Sequence, residues 1–155
     1  MIEVRIMQDD EVAPAQAVIR RSLAWLADQE GWSEQQLDVM LTDVASADGI
    51  RERRARQQSF VACVEGAVVG VAFVSRNEVS HLYVAPRHHR QGVGTALFRA
   101  IEEGLRRTGH TELRLKSTAT SAPFYQAMGM SVRERLPWRD RLFSGHELTV
   151  MAKRL

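Results

Sequence analysis

A single cysteine among 155 residues leaves no partner for an internal disulfide and suits a reducing compartment. That residue, Cys63, sits within the apolar run Phe60–Val64, where a thiol packs in a core more often than it acts as a nucleophile. Apolar runs are short. None approaches the length of a membrane span, and no charged, apolar, small-residue leader opens the chain. Neither a membrane partner nor export is expected, so the expected location is cytoplasmic. Net charge is also low: 21 Lys and Arg against 19 Asp and Glu leave +2, too little to imply a nucleic-acid partner. No set of His, Cys, Asp and Glu has ligand spacing, so no metal is expected. Repeats, low-complexity tracts and linkers are missing too, which points to one domain over residues 1–155.

The most informative segment runs from Val84 to Phe98. It reads as a strand end (Val84-Ala85-Pro86), a basic loop (Arg87-His88-His89-Arg90-Gln91-Gly92-Val93-Gly94) and a helix beginning at once (Thr95-Ala96-Leu97-Phe98). Such a turn aims backbone N–H groups and a helix N-terminus at one point, which makes an anion site. Gly92 and Gly94 remove side chains from the approach, and Arg87 and Arg90 suit phosphate oxygens. A pyrophosphate is the expected guest. No Lys follows Gly94, which excludes a P-loop, and Leu97 excludes a GxGxxG dinucleotide fingerprint.

The segment resembles the acyl-CoA loop of the GNAT N-acetyltransferases, Gln/Arg-x-x-Gly-x-Gly/Ala, placed after a strand ending in Val and Pro. One position departs, with His89 in the Gln/Arg place and Arg90-Gln91 directly after it. A second segment, Ser121-Ala122-Pro123-Phe124-Tyr125-Gln126-Ala127-Met128-Gly129-Met130, is similar to the family's late helix. The resemblance runs from about Phe60 to the C-terminus. It implies an α/β (mixed α+β) fold: a central mixed, mostly antiparallel sheet of about six or seven strands flanked by about four helices.

Periodicity supplies the elements. Ile2, Val4 and Ile6 alternate as a strand, and Val12, Ala15, Val18, Ile19 and Leu26 recur at helical spacing. Ser33 and Gln36 form a capping box for a second helix, and Asp48-Gly49 reads as a break. The run Arg51, Arg53, Arg54, Arg56 reads as a solvated helical face or loop, with a phosphate contact as the other reading. Glu65-Gly66 joins strands Phe60–Val64 and Val68–Val74, and a third strand follows at Glu78–Val84. The helix after the glycine loop buries Leu97, Phe98, Ile101 and Leu105, and ends at Arg106, Arg107 and Gly109. Leu113 and Leu115 mark another strand, the Tyr125 helix is short, and strands near Ser131–Leu136 and Glu147–Lys153 close the chain.

The resemblance implies acetyl transfer from acetyl-CoA, the co-substrate, to a primary amine. By it, the pantetheine arm pairs with the backbone of Leu82, Tyr83 and Val84 in a gap between strands 78–84 and 112–117. The pyrophosphate sits on His89, Arg90, Gln91, Gly92, Val93, Gly94 and Thr95. Thr118 stands where relatives often contact the arm, although capping the Tyr125 helix is an equal use. Tyr125 is the expected general acid: a phenol pKa of about 10 lies close to that of a thiol. For the base, Glu78, His81 and a water chain all stay open; Glu78 and His81 have opposite strand parity and face different sides unless a bulge intervenes. His88 and His89 are expected to touch solvent or phosphate. Trp25, Trp32 and Met40 are candidates for the acceptor pocket, with core packing as the other use, and Trp138 is a candidate border. A small-molecule amine is the expected acceptor. Protein lysine or N-terminal acetylation and a non-catalytic CoA-binding module are the alternatives, and a homodimer is an open possibility.

Overall fold

A computed structural model describes residues 1–155. The chain runs β1 (Ile2–Ile6), α1 (Val12–Glu30), α2 (Glu34–Val44), α3 (Ala47–Arg56), β2 (Gln58–Val64), β3 (Ala67–Ser75), β4 (Glu78–Val84), α4 (Val93–Arg107), β5 (Glu112–Ser117), α5 (Ala122–Ala127), β6 (Ser131–Pro137) and β7 (Glu147–Arg154). All seven strands form one sheet in the order β1-β2-β3-β4-β5-β7-β6. Only β4 and β5 run parallel; every other neighbouring pair is antiparallel. No helix is long and apolar enough to cross a membrane.

The sheet separates two cores. On one face α1, α2 and α3 bury Val18, Ile19, Leu23, Val44 and Ile50 against Val61, Val71 and Phe73. On the other, α4 lays Val93, Leu97, Phe98, Ile101 and Leu105 on Ala62, Ala72, Val79, Leu113 and Leu115. Each Val, Leu, Ile or Phe side chain so removed from water contributes roughly 1.5–3 kcal/mol. Gly70 of β3 allows the close approach, since a Cβ there would lie 2.9 Å from Leu97 Cδ1 and 3.0 Å from Val93 Cγ1.

Five helices flank the sheet rather than about four, because Asp48-Gly49 does not break the chain. The interruption falls at Ala45-Ser46, where Ser46 Oγ accepts from the Gly49 N–H and starts α3. The arginine run lies on this helix and is occupied by the protein itself. Arg53 donates to the carbonyls of Asp43 and Val44 at the end of α2, and Arg54 donates to the Met7 carbonyl and pairs with Asp9. Arg51 and Arg56 pair with Asp48 and Glu52. The run thus lies on a helical face whose arginines make local ion pairs and carbonyl contacts.

Three register shifts interrupt the sheet, and the one on β4 shapes the site. Phe73 is opposite His81 and Val74 is opposite Val79, so Ser80 has no partner on β3. Its hydroxyl lies 2.6 Å from Gln57 Oε1 and 3.2 Å from the Phe73 carbonyl. The extra residue flips the alternation. Val79 packs in the α4 core, whereas Tyr83, of the same parity, packs against the α1–α3 core.

Candidate active site

The parallel pair β4–β5 is in register only at Glu78↔Arg114 and Val79↔Leu115. Beyond Val79 the strands part, and β4 from His81 to Val84 pairs with β3 alone. The parting leaves one strand edge with backbone groups unpaired, a surface suited to an extended amide-bearing chain. Leu82, Tyr83 and Val84 lie along that edge.

At the end of β4 the chain enters the glycine loop. Arg90 has φ +61° and Gly92 has φ +85°, so two left-handed residues flank Gln91. This alternation points successive N–H groups into one concavity. The first backbone bond of α4 runs from the Ala96 N–H to the Gly92 carbonyl, and no amide from Arg90 to Thr95 has an acceptor within the chain. Gly92 is needed for its backbone angle. Gly94 is needed for packing as well, because a Cβ there would lie 3.1 Å from the Phe124 ring.

His89 turns inward, contrary to the expectation of solvent or phosphate. Its Nε2 donates to the Val84 carbonyl at 3.1 Å, and Trp25 packs edge-on against the ring with centroids 4.6 Å apart. The histidine fastens the loop to the end of β4 and to α1. Trp25 is correspondingly spent on this joint and lies outside the cavity lined by Trp32 and Met40. Gln91 is similarly turned back, with Oε1 3.1 Å from His88 Nδ1 and Nε2 donating to the Arg87 carbonyl.

Where β4 and β5 part there is a cavity of about 270 Å³. Glu78, His81, Leu82 and Tyr83 line it from β4, and Thr118, Ser121 and Tyr125 from the α5 side. Trp32, Met40 and Trp138 form an apolar wall with Leu23 and Leu26. Trp32, Trp138 and Phe143 pack as an aromatic cluster, with Trp138 stacked on Phe143 at 4.3 Å. Two long-range clasps tie the first helices to later segments of the chain. Glu30 at the end of α1 accepts from the amide and hydroxyl of Thr120, and Gln36 Nε2 donates to the Leu142 carbonyl at 2.6 Å. Neither clasp is legible locally, since the partners lie 90 and 106 residues apart.

Burial sets the protonation states. His81 Nδ1 is 3.1 Å from the Tyr83 hydroxyl, and burial, with Arg53 nearby, lowers the imidazole to a pKa of about 4. Its ring is neutral near neutral pH. Burial raises both phenols, Tyr83 and Tyr125, above their ordinary range. The Tyr125 hydroxyl has no hydrogen-bond partner within the chain although the residue is 7% exposed. Thr118 Oγ1 donates to Ser121 Oγ at 3.3 Å and the Thr118 carbonyl accepts from the Ala122 N–H, so this residue both starts α5 and faces the cavity. Cys63 is buried with its thiol pushed up by burial, and lies outside the cavity. No group of three or more His, Cys, Asp or Glu is placed to hold a metal ion.

The structure thus combines an open sheet edge, a run of amides at a helix start and a buried phenol. The acetyltransferase (GNAT) domain family matches residues 29–155, and the chain belongs to that family of acyltransferases. An uncharacterised N-acetyltransferase of Escherichia coli K12, YafP, is 28% identical over 149 residues, covering 92% of this chain and 91% of the relative. A GCN5-related N-acetyltransferase of Rhodopseudomonas palustris superposes with a TM-score of 0.89 at 23% identity, covering 99% and 95% of the two chains. The PaiA N-acetyltransferase of Thermoplasma acidophilum, solved with coenzyme A, gives 0.84 at 20% identity, covering 100% and 99%.

Proposed function

We propose that this protein moves an acetyl group from acetyl-CoA to the primary amine of a small molecule, by direct attack in a ternary complex with Tyr125 as proton donor. The observation that carries the reading is the convergence of Glu78, His81 and Tyr125 on one cavity where β4 and β5 part. The residues fit the co-substrate. The free amides of Arg90 to Thr95 suit a pyrophosphate, and the open edge of β4 suits the amides of a pantetheine arm. The PaiA neighbour was solved with coenzyme A, which agrees with that use of the fold.

Acetyl-CoA supplies an activated acetyl thioester. This chain's residues have the remaining tasks: holding the amine, taking its proton and returning one to sulfur. Tyr125, kept protonated by burial, is the donor. The same burial raises the proton affinity of any thiolate beside it, so the transfer stays matched. Glu78 is exposed at the start of β4 and takes the amine proton through water. His81 is a poor base with its lowered pKa, and its contact with Tyr83 makes it a support for the cavity wall.

The small size of the cavity favours a small acceptor, since ligand pockets start at about 300 Å³. Replacing Tyr125 with Phe tests the assignment. Turnover should fall about 10²–10⁴-fold while acetyl-CoA still binds with its parental Kd. Unchanged turnover would remove Tyr125 from the mechanism.

A further inference from the structure

Beside the reactive cavity lies a second recess, at the start of β4. Arg76, Asn77, Glu78, Arg114 and Lys116 line it, and it shares Glu78, Leu115 and Lys116 with the first. Strand alternation explains the composition. Leu113 and Leu115 point into the α4 core, so Arg114 and Lys116 take the opposite face of β5. The β3–β4 turn then brings Arg76 to the same opening.

These cations have few partners. Arg76 and Lys116 make no ion pair or side-chain hydrogen bond within the chain, and Arg114 Nε lies 3.8 Å from Glu112, beyond hydrogen-bond reach. The arginines on α3, by contrast, are paired or bonded to carbonyls. Three cations therefore line the recess with one carboxylate, Glu78, while Glu112 lies outside it in a loose pair with Arg114. Two guanidinium groups match the planar, two-oxygen geometry of a carboxylate.

We propose that this recess holds an anionic group of the acceptor, so that the acceptor is a small primary amine carrying a carboxylate; the inference rests on the small-amine reading above. Arg114 is level with Glu78 and Lys116 lies about 7 Å further along β5. An amine held near Glu78 thus needs only a short linker to place its carboxylate among the cations. The same field repels a second ammonium, which disfavours diamines.

The test is thiol release from acetyl-CoA with ε-aminocaproate, hexylamine, hexamethylenediamine and aminohexyl phosphate as acceptors. The carboxylated amine should exceed hexylamine in kcat/KM by about tenfold, the worth of one charge-assisted contact, with the diamine poorest. Arg76→Asn and Arg114→Gln should each raise KM for ε-aminocaproate and leave kcat and the hexylamine KM unchanged. Both sites are exposed, and Asn tolerates the left-handed backbone at position 76. Hexylamine or the diamine performing equally well overturns the proposal while leaving acetyl transfer to small amines standing. A preference for the phosphate overturns the carboxylate assignment. No thiol release with any of them, from protein that binds acetyl-CoA, overturns the small-amine reading and this inference together.

Discussion

Gly94, in the first turn of α4, packs so closely on Phe124 of α5 that a Cβ would sit 3.1 Å from the ring. The helix that starts the amide cradle and the helix that carries Tyr125 thus touch at a point where a methyl group would force one of them to move. Gly94→Ala should change stability by less than about 1 kcal/mol, because better helix propensity offsets the strained contact. Turnover should fall several-fold as Phe124 shifts its neighbour Tyr125. Thermal melting beside steady-state kinetics checks both parts.

Gly92 presents the opposite case. Space around it is free, with only Ile2 Cδ1 at 3.8 Å, but its φ of +85° is unfavourable for a side chain. Gly92→Ala should therefore cost about 1–2 kcal/mol. It should also weaken acetyl-CoA binding, since relief of the strain turns amides out of the cradle. Chemical denaturation and binding measured on the same variant separate the two effects.

Glu102 is fully buried on α4 and is met by Lys153 of β7 at 2.6 Å, with Arg99 and Arg106 from its own helix. Lys153 also donates to the Met128 carbonyl just after α5. Lys153→Met should cost about 1.5–3 kcal/mol, because the buried carboxylate loses its shortest charge-assisted bond and keeps those from Arg99 and Arg106. Burial opposes ionisation of Glu102, but the bonds from Lys153 and Arg99 outweigh it and lower its pKa. A lowered folded pKa means stability that is present above the unfolded value of about 4.3 and lost as pH falls through the folded one. Glu102→Gln should flatten the acid limb of a stability-versus-pH curve below about pH 4.

His81 adds a second pH window. Its folded pKa of about 4 lies below the unfolded value, so the unfolded chain binds the proton more readily. Stability from keeping this ring neutral is complete above about pH 6.5 and declines as pH falls toward the folded value. His81→Gln should remove that slope. The pH profile of kcat/KM should correspondingly show no limb near 6.5 arising from His81.

The sequence carried the loop and the late helix because both depend on local residues. Glycines at 92 and 94 with a helix directly after them, and Tyr125 within its motif, need no distant partner to be recognised. The parting of β4 and β5 was an expectation from family resemblance, and the register of the two strands has that form. What escaped depended on partners far away in the chain. Glu78 and His81 differ in parity, and only the mismatch with β3 at Ser80 reverses it. Ser46 captures Gly49 and continues the chain as α3 through a dipeptide that reads as a break. The joint between His89, Val84 and Trp25 follows from how α1 lies over the loop, and no local pattern encodes it.

The most direct measurement is calorimetric titration of the folded protein with acetyl-CoA, repeated on Gly92→Val. The amide cradle predicts saturable binding at one site per chain, lost in the variant while circular dichroism shows its fold intact. Absence of binding by the folded parent protein, or equal binding by the variant, would contradict the assignment of residues 90–95 as the pyrophosphate site.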